Sequence, residues 1–236
     1  MSSAKGYGQF CPVARTAEVL AERWTPLVVR ELLSGAVRFN DIQRGVPRMS
    51  PSLLSRRLKE LEYAGIVERR QAEGRGWEYH LTAPGHELMP IIETMGAWSQ
   101  RWLRQELVAD ENLDPDLLMW DIRRRAIASE EPIRGRFVVR FEFSGVPASH
   151  RLYWLIFDDG EADLCIKDPG HDVNLHISGA LRLLTQIWLG HVTLDEALAD
   201  ERLGLDGRPR DIKAFRRWFG LSVTAPAARA AISAEA

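Results

Sequence analysis

Residues 50–82 read SPSLLSRRLKELEYAGIVERRQAEGRGWEYHLT, and this stretch decides the fold of the first half of the chain. Ser50 before Pro51 has the form of a helix N-cap and first helical residue, and Gly65 that of a C-terminal stop. A helix is therefore predicted from Ser50 to about residue 64. At about 100° per residue, Leu54, Leu58 and Leu61 fall within roughly 60° of one another and form one apolar stripe. Ser52, Ser55, Arg56 and Lys59 lie on the opposite side, and Arg57 sits nearer the stripe's edge. Two strand candidates follow at 66–70 and 77–81, joined by the turn Glu73-Gly74-Arg75-Gly76.

Upstream, helical spacing covers 14–21. A second helix is predicted over 26–34, with Thr25 as N-cap, Pro26 at N1 and Gly35 past its end. A third covers 39–44. Downstream, a long helix is predicted from Pro84 to about Leu103, with Leu88, Ile91, Ile92, Met95, Trp98 and Trp102 as its apolar stripe. Three helices, a capped helix, a hairpin and a further helix make the pattern of a winged helix-turn-helix. The outer face of the capped helix combines short hydroxyls with long cations, the residue types that read base edges and grip phosphates. Arg57 suits a backbone phosphate, and Arg75, between two glycines at the hairpin tip, suits a neighbouring groove. A solvated surface would carry the same residues; the order of elements favours double-stranded DNA as the partner.

Cys11-Pro12, Trp24-Thr25, Arg38-Phe39, Leu54 through Leu61 with Gly65, Tyr79-His80-Leu81-Thr82 with Gly85, and Trp98 together resemble the HxlR-type winged-helix regulators, relatives of the MarR type. The resemblance covers residues 10–103. It implies a homodimer joined through its terminal helices, the capped helix in the major groove, the hairpin as wing, and a pseudo-palindromic site. It also places Cys11 at the position of a cysteine that some members use to sense oxidants or electrophiles. A sensor thiol needs exposure and a lowered pKa; Lys5 and Arg15 are the nearest cations in sequence.

The second half reads as an α+β domain, a mainly antiparallel sheet covered by helices. Asp114-Pro115 opens a helix to about residue 126. Residues 136–143 alternate strictly, with Phe137, Val139, Phe141 and Phe143 on one face. Strands are further expected at 151–157, 162–167, 173–177 and 202–206. Helices are expected from Ser178 to Gly190, after the Thr193–Glu196 capping box, and over 211–219. The strand 172–178 entering an apolar helix, Thr193-x-x-x-Ala197 before Leu203, Leu205 and Asp206-Gly207, and the closing Phe215 and Phe219 resemble the sterol-carrier-protein-like fold over 113–221. Asp200-Glu201 departs from that family's small Ala-x-x-Gly approach. The resemblance implies a pocket between sheet and helices for an apolar effector, with Trp154, Ile156, Leu164, Ile166, Leu184 and Trp188 as wall candidates.

The expected organisation is thus a winged-helix domain at 1–104, a linker at 105–116, the second domain at 117–222 and a flexible tail at 223–236. Charge divides the same way: 15 Lys+Arg against 11 Asp+Glu through residue 104 (+4), and 16 against 22 thereafter (−6). The longest uncharged stretch, 183–194, is 12 residues, against about 20 apolar residues for a membrane span. No membrane partner is expected. MSSAKGYGQF lacks an apolar signal core, and two cysteines make no disulfide framework, so a cytoplasmic location is expected. His86-Glu87 has no second histidine of a zinc-protease helix, and no phosphate loop or nucleophile elbow appears. No cofactor, metal site or enzyme is expected. The alternative to a DNA-binding regulator is a lipid- or hydrophobe-binding protein whose winged helix mediates protein contacts.

Overall fold

The structure, a computed structural model, describes residues 6–127 and 135–235. The chain forms two compact units, Met1–Thr94 and Met95–Ala236.

The first unit contains α1 (Pro12–Leu20), α2 (Thr25–Leu33), α3 (Phe39–Gly45), α4 (Pro51–Tyr63), β1 (Val67–Gln71), β2 (Trp77–Leu81) and α5 (Ala83–His86). Ser50 caps α4 as expected, accepting from Leu53 N–H at 3.3 Å, and Gly65 ends it with φ of +72°. Leu54, Leu58 and Leu61 join Val28, Val29, Leu32, Ile42 and Val67 in one core. Each fully buried aliphatic side chain there contributes about 1.5–3 kcal/mol. Trp24, at φ +79°, takes the N-cap of α2, so Thr25 is buried in the first turn rather than capping it. β1 and β2 pair antiparallel with Glu68 opposite His80. An Arg38–Glu78 bridge and the Tyr79 N–H donated to Val37 O at 2.8 Å tie this hairpin to the segment before α3.

The single helix expected from Pro84 to Leu103 is instead two. After α5 the chain turns and α6 (Met89–Trp102) begins. Pro90 explains the break: inside a helix its ring would clash with the carbonyl of His86. Leu88 and Ile92 pack against the first core.

Unit 2 begins within α6. It continues through α7 (Arg104–Leu107), a short 3-10 turn at Asp110–Asn112 and α8 (Pro115–Ile127). Then come β3 (Phe137–Ser144), β4 (Leu152–Asp158), β5 (Glu161–Cys165), β6 (Leu175–Ala180), α9 (Leu181–Leu189), α10 (Leu194–Ala199), β7 (Leu203–Gly207), α11 (Pro209–Trp218) and α12 (Ala225–Glu235). Residues 105–116, expected as a linker, are largely helical, and Val108 is buried. Among the described residues the sheet has five strands in the order β5-β4-β3-β6-β7. The β3–β6 pairing is parallel and the other three are antiparallel. Phe137, Val139, Phe141 and Phe143 of β3 face a core completed by Leu118, Met119 and Ile122 of α8, Leu181, Leu184, Ile187 and Trp188 of α9, and Phe215 and Trp218 of α11. The Thr193–Glu196 capping box is present at the start of α10.

Residues 223–236 were expected as a flexible tail. Within that stretch the structure places α12 (Ala225–Glu235), with Ala225, Ala228 and Ala231 buried. Small size is what this stripe supplies: a Cβ built on Gly190, at φ +80°, would lie 2.8 Å from Ala225 Cβ, so the backbones approach closely. Gln100 of α6, 1% exposed, joins the same junction. Its Nε2 donates to Thr224 Oγ1 at 3.0 Å, and its Oε1 accepts from His191 Nε2 at 2.7 Å. Burial, together with the charge of Arg104, pushes the His191 pKa below its ordinary value. The native state then binds fewer protons at this site than the unfolded chain does. Its stability is complete above the unfolded pKa of about 6.5 and is lost as pH falls below it. Melting of the wild type is expected to drop more between pH 7.5 and 5 than melting of His191→Gln. Parallel curves would remove His191 as the cause.

Candidate nucleic-acid interface

The candidate surface is the outer side of α4 together with the hairpin. Because Leu54, Leu58 and Leu61 are drawn inward, Ser52, Arg56 and Lys59 are left exposed, while Ser55 is half-buried. The Arg56 guanidinium lies 3.9 Å from Glu60 across one turn, with 63% of its side chain exposed. An exposed pair of this kind is worth about 0–1 kcal/mol, so a phosphate or a guanine edge can replace it. The Ser52 hydroxyl is 3.3 Å from that of Ser50. Arg75 is exposed at the hairpin tip between Gly74 (φ +118°) and Gly76 (φ +109°), backbone angles that only glycine adopts easily.

Arg57 corrects the sequence-based expectation. It is 7% exposed and points inward rather than at a phosphate. Its Nη2 donates to Glu22 at 2.7 Å, its Nη1 to Glu60, and its Nε to Arg23 O at 3.3 Å. A cation held by two carboxylates and a carbonyl ties α4 to the turn before α2.

Sequence reasoning missed two other cations. Arg38, with 61% of its side chain exposed, sits at the N-cap of α3, 3.6 Å from Glu78 of the hairpin. Arg69 of β1 stacks on the Trp77 ring at 4.3 Å, and that ring is 49% exposed. Cation–π stacking fixes the guanidinium while leaving its N–H groups available. The signal was cross-strand pairing on one face of the hairpin, which a helix wheel does not show.

Cys11 is half-exposed at the N-cap of α1. Arg15 is held by Glu18 at 2.5 Å, and Lys5 lies outside the described residues. In unit 2 the six wall candidates do not converge on one pocket. Leu184 and Trp188 lie in the core between sheet and helices, and Leu164 packs against it. The register pairs Leu164 with Leu155, but Trp154 with Cys165 and Ile156 with Asp163, so Trp154 and Ile156 face the other side. Ile166 is 62% exposed beyond the end of β5.

Among the described residues, no helix is long and apolar enough to cross a membrane, and no cluster of three or more His, Cys, Asp or Glu could hold a metal ion.

Residues 19–107 match the HxlR-like helix-turn-helix family, and residues 108–236 lie outside that match. The chain is 37% identical over 98 residues to the uncharacterized HTH-type transcriptional regulator YvaP of Bacillus subtilis (strain 168), covering 40% of this chain and 91% of the relative. It is 35% identical over 95 residues to the HTH-type transcriptional regulator YodB of the same organism, covering 39% of this chain and 85% of the relative. The crystal structure of quinone-bound YodB from B. subtilis is similar at 34% identity and a TM-score of 0.35, over 39% of this chain and 99% of that one. With its capped helix, its basic outer face and its wing in one compact unit, the chain belongs to the HxlR-like helix-turn-helix family of DNA-binding transcriptional regulators.

Proposed function

We propose that the protein binds a pseudo-palindromic DNA operator as a homodimer, with α4 in the major groove and the β1–β2 hairpin as wing. The observation that carries this reading is the two-sided α4: leucines sealed into the core on one side, Ser52, Arg56 and Lys59 exposed on the other. Arg56 and Lys59 supply base and phosphate contacts, Ser52 and the half-buried Ser55 short polar ones, and Arg75 a contact beside the major groove. The dimer contact falls on α6, where Ile91, Met95, Trp98 and Trp102 are 40, 50, 55 and 65% exposed. Positions i, i+4, i+7 and i+11 share one helix face, and monomers rarely expose such a run of large apolar side chains.

Unit 2 supplies the regulatory part. The order of its strands, with helices packed on one face, supports the sterol-carrier-protein-like reading. An effector there would act on DNA affinity only by preferring one dimer geometry, a coupling of about 1–3 kcal/mol. Helix α6 is the connection, since Ile92 packs in the first core and Gln100 is hydrogen-bonded within the second unit. Cys11 is the candidate thiol for oxidant sensing, and Cys11→Ser should abolish any response of DNA binding to diamide.

The deciding experiment is selection of duplexes from a random library, followed by anisotropy of the winner against scrambled DNA at several salt concentrations. An inverted repeat bound about a thousandfold or more above scrambled DNA supports the reading. Binding that follows salt but not sequence would leave only a basic surface and favour a hydrophobe carrier. Arg56→Ala is expected to weaken operator binding at least about 30-fold, from loss of about 1–3 kcal/mol at one base pair in each of the two half-sites. Dimer mass and melting should not change. Equal affinity would take Arg56 off the reading face.

A further inference from the structure

The face of the unit 2 sheet turned away from the core carries one aligned side chain per strand. Register places Cys165 of β5 beside Trp154 of β4, Trp154 beside Arg140 of β3, Arg140 beside His176 of β6, and His176 beside Asp206 of β7. The neighbouring residues along the strands, Val139, Phe141, Leu155, Leu175 and Ile177, all point into the core. At its β6–β7 end the row opens into a groove of about 360 Å³ lined by Val173, Asn174, His176, Asp206, Gly207 and Arg208. That volume lies at the small end of the range for small-molecule sites.

The floor of the groove is close-packed backbone. A Cβ on Gly207, on the core side of the sheet opposite Leu175, would lie 2.8 Å from Asn174 O and 3.0 Å from Leu175 Cδ1, so β6 and β7 are closely packed beneath the groove. Its polar groups differ in what they can take. Asn174 Oδ1 accepts from Val138 N–H at 2.8 Å, which orients the amide and leaves its NH2 as the donating end. Arg208 contributes a guanidinium whose side chain is 63% exposed, held loosely at 3.4 Å from Asp211. Asp206 contributes an exposed carboxylate. One strand inward, Arg140 donates to Glu142 at 2.8 Å, and its buried Nε has no hydrogen-bond partner. Glu142 also receives Arg151, which with Arg140 holds its carboxyl below the usual range, so this carboxylate is fully engaged by cations.

The groove therefore offers one carboxylate, one guanidinium, and an amide and an imidazole. A simple anion would meet Asp206, and a simple cation would meet Arg208. A ligand carrying both charges satisfies both. We propose that this groove binds a small zwitterion of the free α-amino acid class, its carboxylate on Arg208 and the Asn174 amide, its ammonium on Asp206, and its side chain along Val173 and His176. The polar lining separates this site from the apolar pocket expected between sheet and helices. That the ligand is a regulatory effector rests on the DNA-binding reading; the binding site does not.

The test is isothermal titration of the full-length protein, without DNA, with the twenty free amino acids and with the N-acetyl and C-amide forms of any that bind. Saturable binding of at least one free amino acid is expected, weakened at least about tenfold by blocking either end, because each block removes a charge-assisted contact. Asp206→Asn and Arg208→Gln, both at exposed positions, should each weaken binding by about the same factor and leave melting unchanged. Lys213→Gln, on α11 outside the lining, should bind as the wild type does. The His176 imidazole resonances should shift on saturation. No binding at millimolar concentration, equal binding of blocked forms, or equal binding by both groove variants would overturn the assignment. The two readings fail separately. Arg56→Ala should keep amino-acid binding while losing the operator. Operator binding without amino-acid binding sinks only the groove, and the converse sinks only the DNA reading.

Discussion

Trp98→Asp is expected to convert the protein to a monomer and to lower operator affinity by at least about a hundredfold. Trp98 lies mid-stripe on α6, 55% exposed, between Met95 and Trp102 on the same face. Burying this face against a second copy removes several large apolar side chains from water, at about 25 cal/mol per Å². An aspartate in the middle of it would have to be desolvated without a partner, which costs far more than the contact returns. The isolated unit should tolerate the change, because the position faces away from buried Gln100 and an exposed helical Asp costs under about 1 kcal/mol. Two linked half-sites bind more tightly than one by a factor of about 10²–10⁴, and the monomer forfeits that factor. Light scattering should give about 26.8 kDa, against twice that mass for the wild type. Circular dichroism of the monomer should stay near native, and its melting should fall only by what dimerisation contributes. A variant that remains dimeric would place the interface elsewhere, and one that is monomeric yet binds the operator normally would remove dimerisation from the mechanism.

What was legible in the sequence was what local chemistry decides. Ser50-Pro51, Gly65 and the three leucines of α4 needed only cap preferences and a 3.6-residue period, and the helix appears where they place it. The strict alternation of β3 gave the face of every residue from Phe137 to Phe143. What failed depended on partners distant in sequence. The inward turn of Arg57 follows from Glu22, 35 residues away. The wall of the supposed pocket followed from strand register: Trp154 and Leu164 are both apolar, but pairing Leu155 with Leu164 puts them on opposite faces, and a period of two cannot supply that offset between strands. The last helix was missed for a related reason. Ala225, Ala228 and Ala231 look featureless on a hydrophobicity scale, and their value lies in being small enough to approach Gly190.

Gly45→Ala is expected to destabilise the first unit strongly, with a sign opposite to the usual one. Replacing glycine by alanine in a helix ordinarily stabilises by about 0.5–1 kcal/mol, because the unfolded chain loses freedom. Here the added Cβ would fall on the carboxylate of Glu31. That carboxylate is 0% exposed and cannot swing out to solvent without opening the core. It accepts from Arg30 Nε at 2.9 Å and Nη2 at 2.6 Å, and the same Nη2 donates to Gly45 O at 2.9 Å. The methyl therefore strikes the arrangement that joins α2 to the end of α3. Displacing a buried carboxylate from its cation costs about 3–5 kcal/mol, a large share of a total stability of about 5–15. The first unit should melt at least about 10 °C lower. Operator binding should fall together with helicity, unlike Arg56→Ala, where binding alone changes. Glu31→Ala removes the group the methyl meets, so the double variant should lose less stability than the sum of the two single changes. A neutral or stabilising Gly45→Ala would mean that Glu31 yields freely, and that the Arg30–Glu31–Gly45 contact does not hold α3 in place.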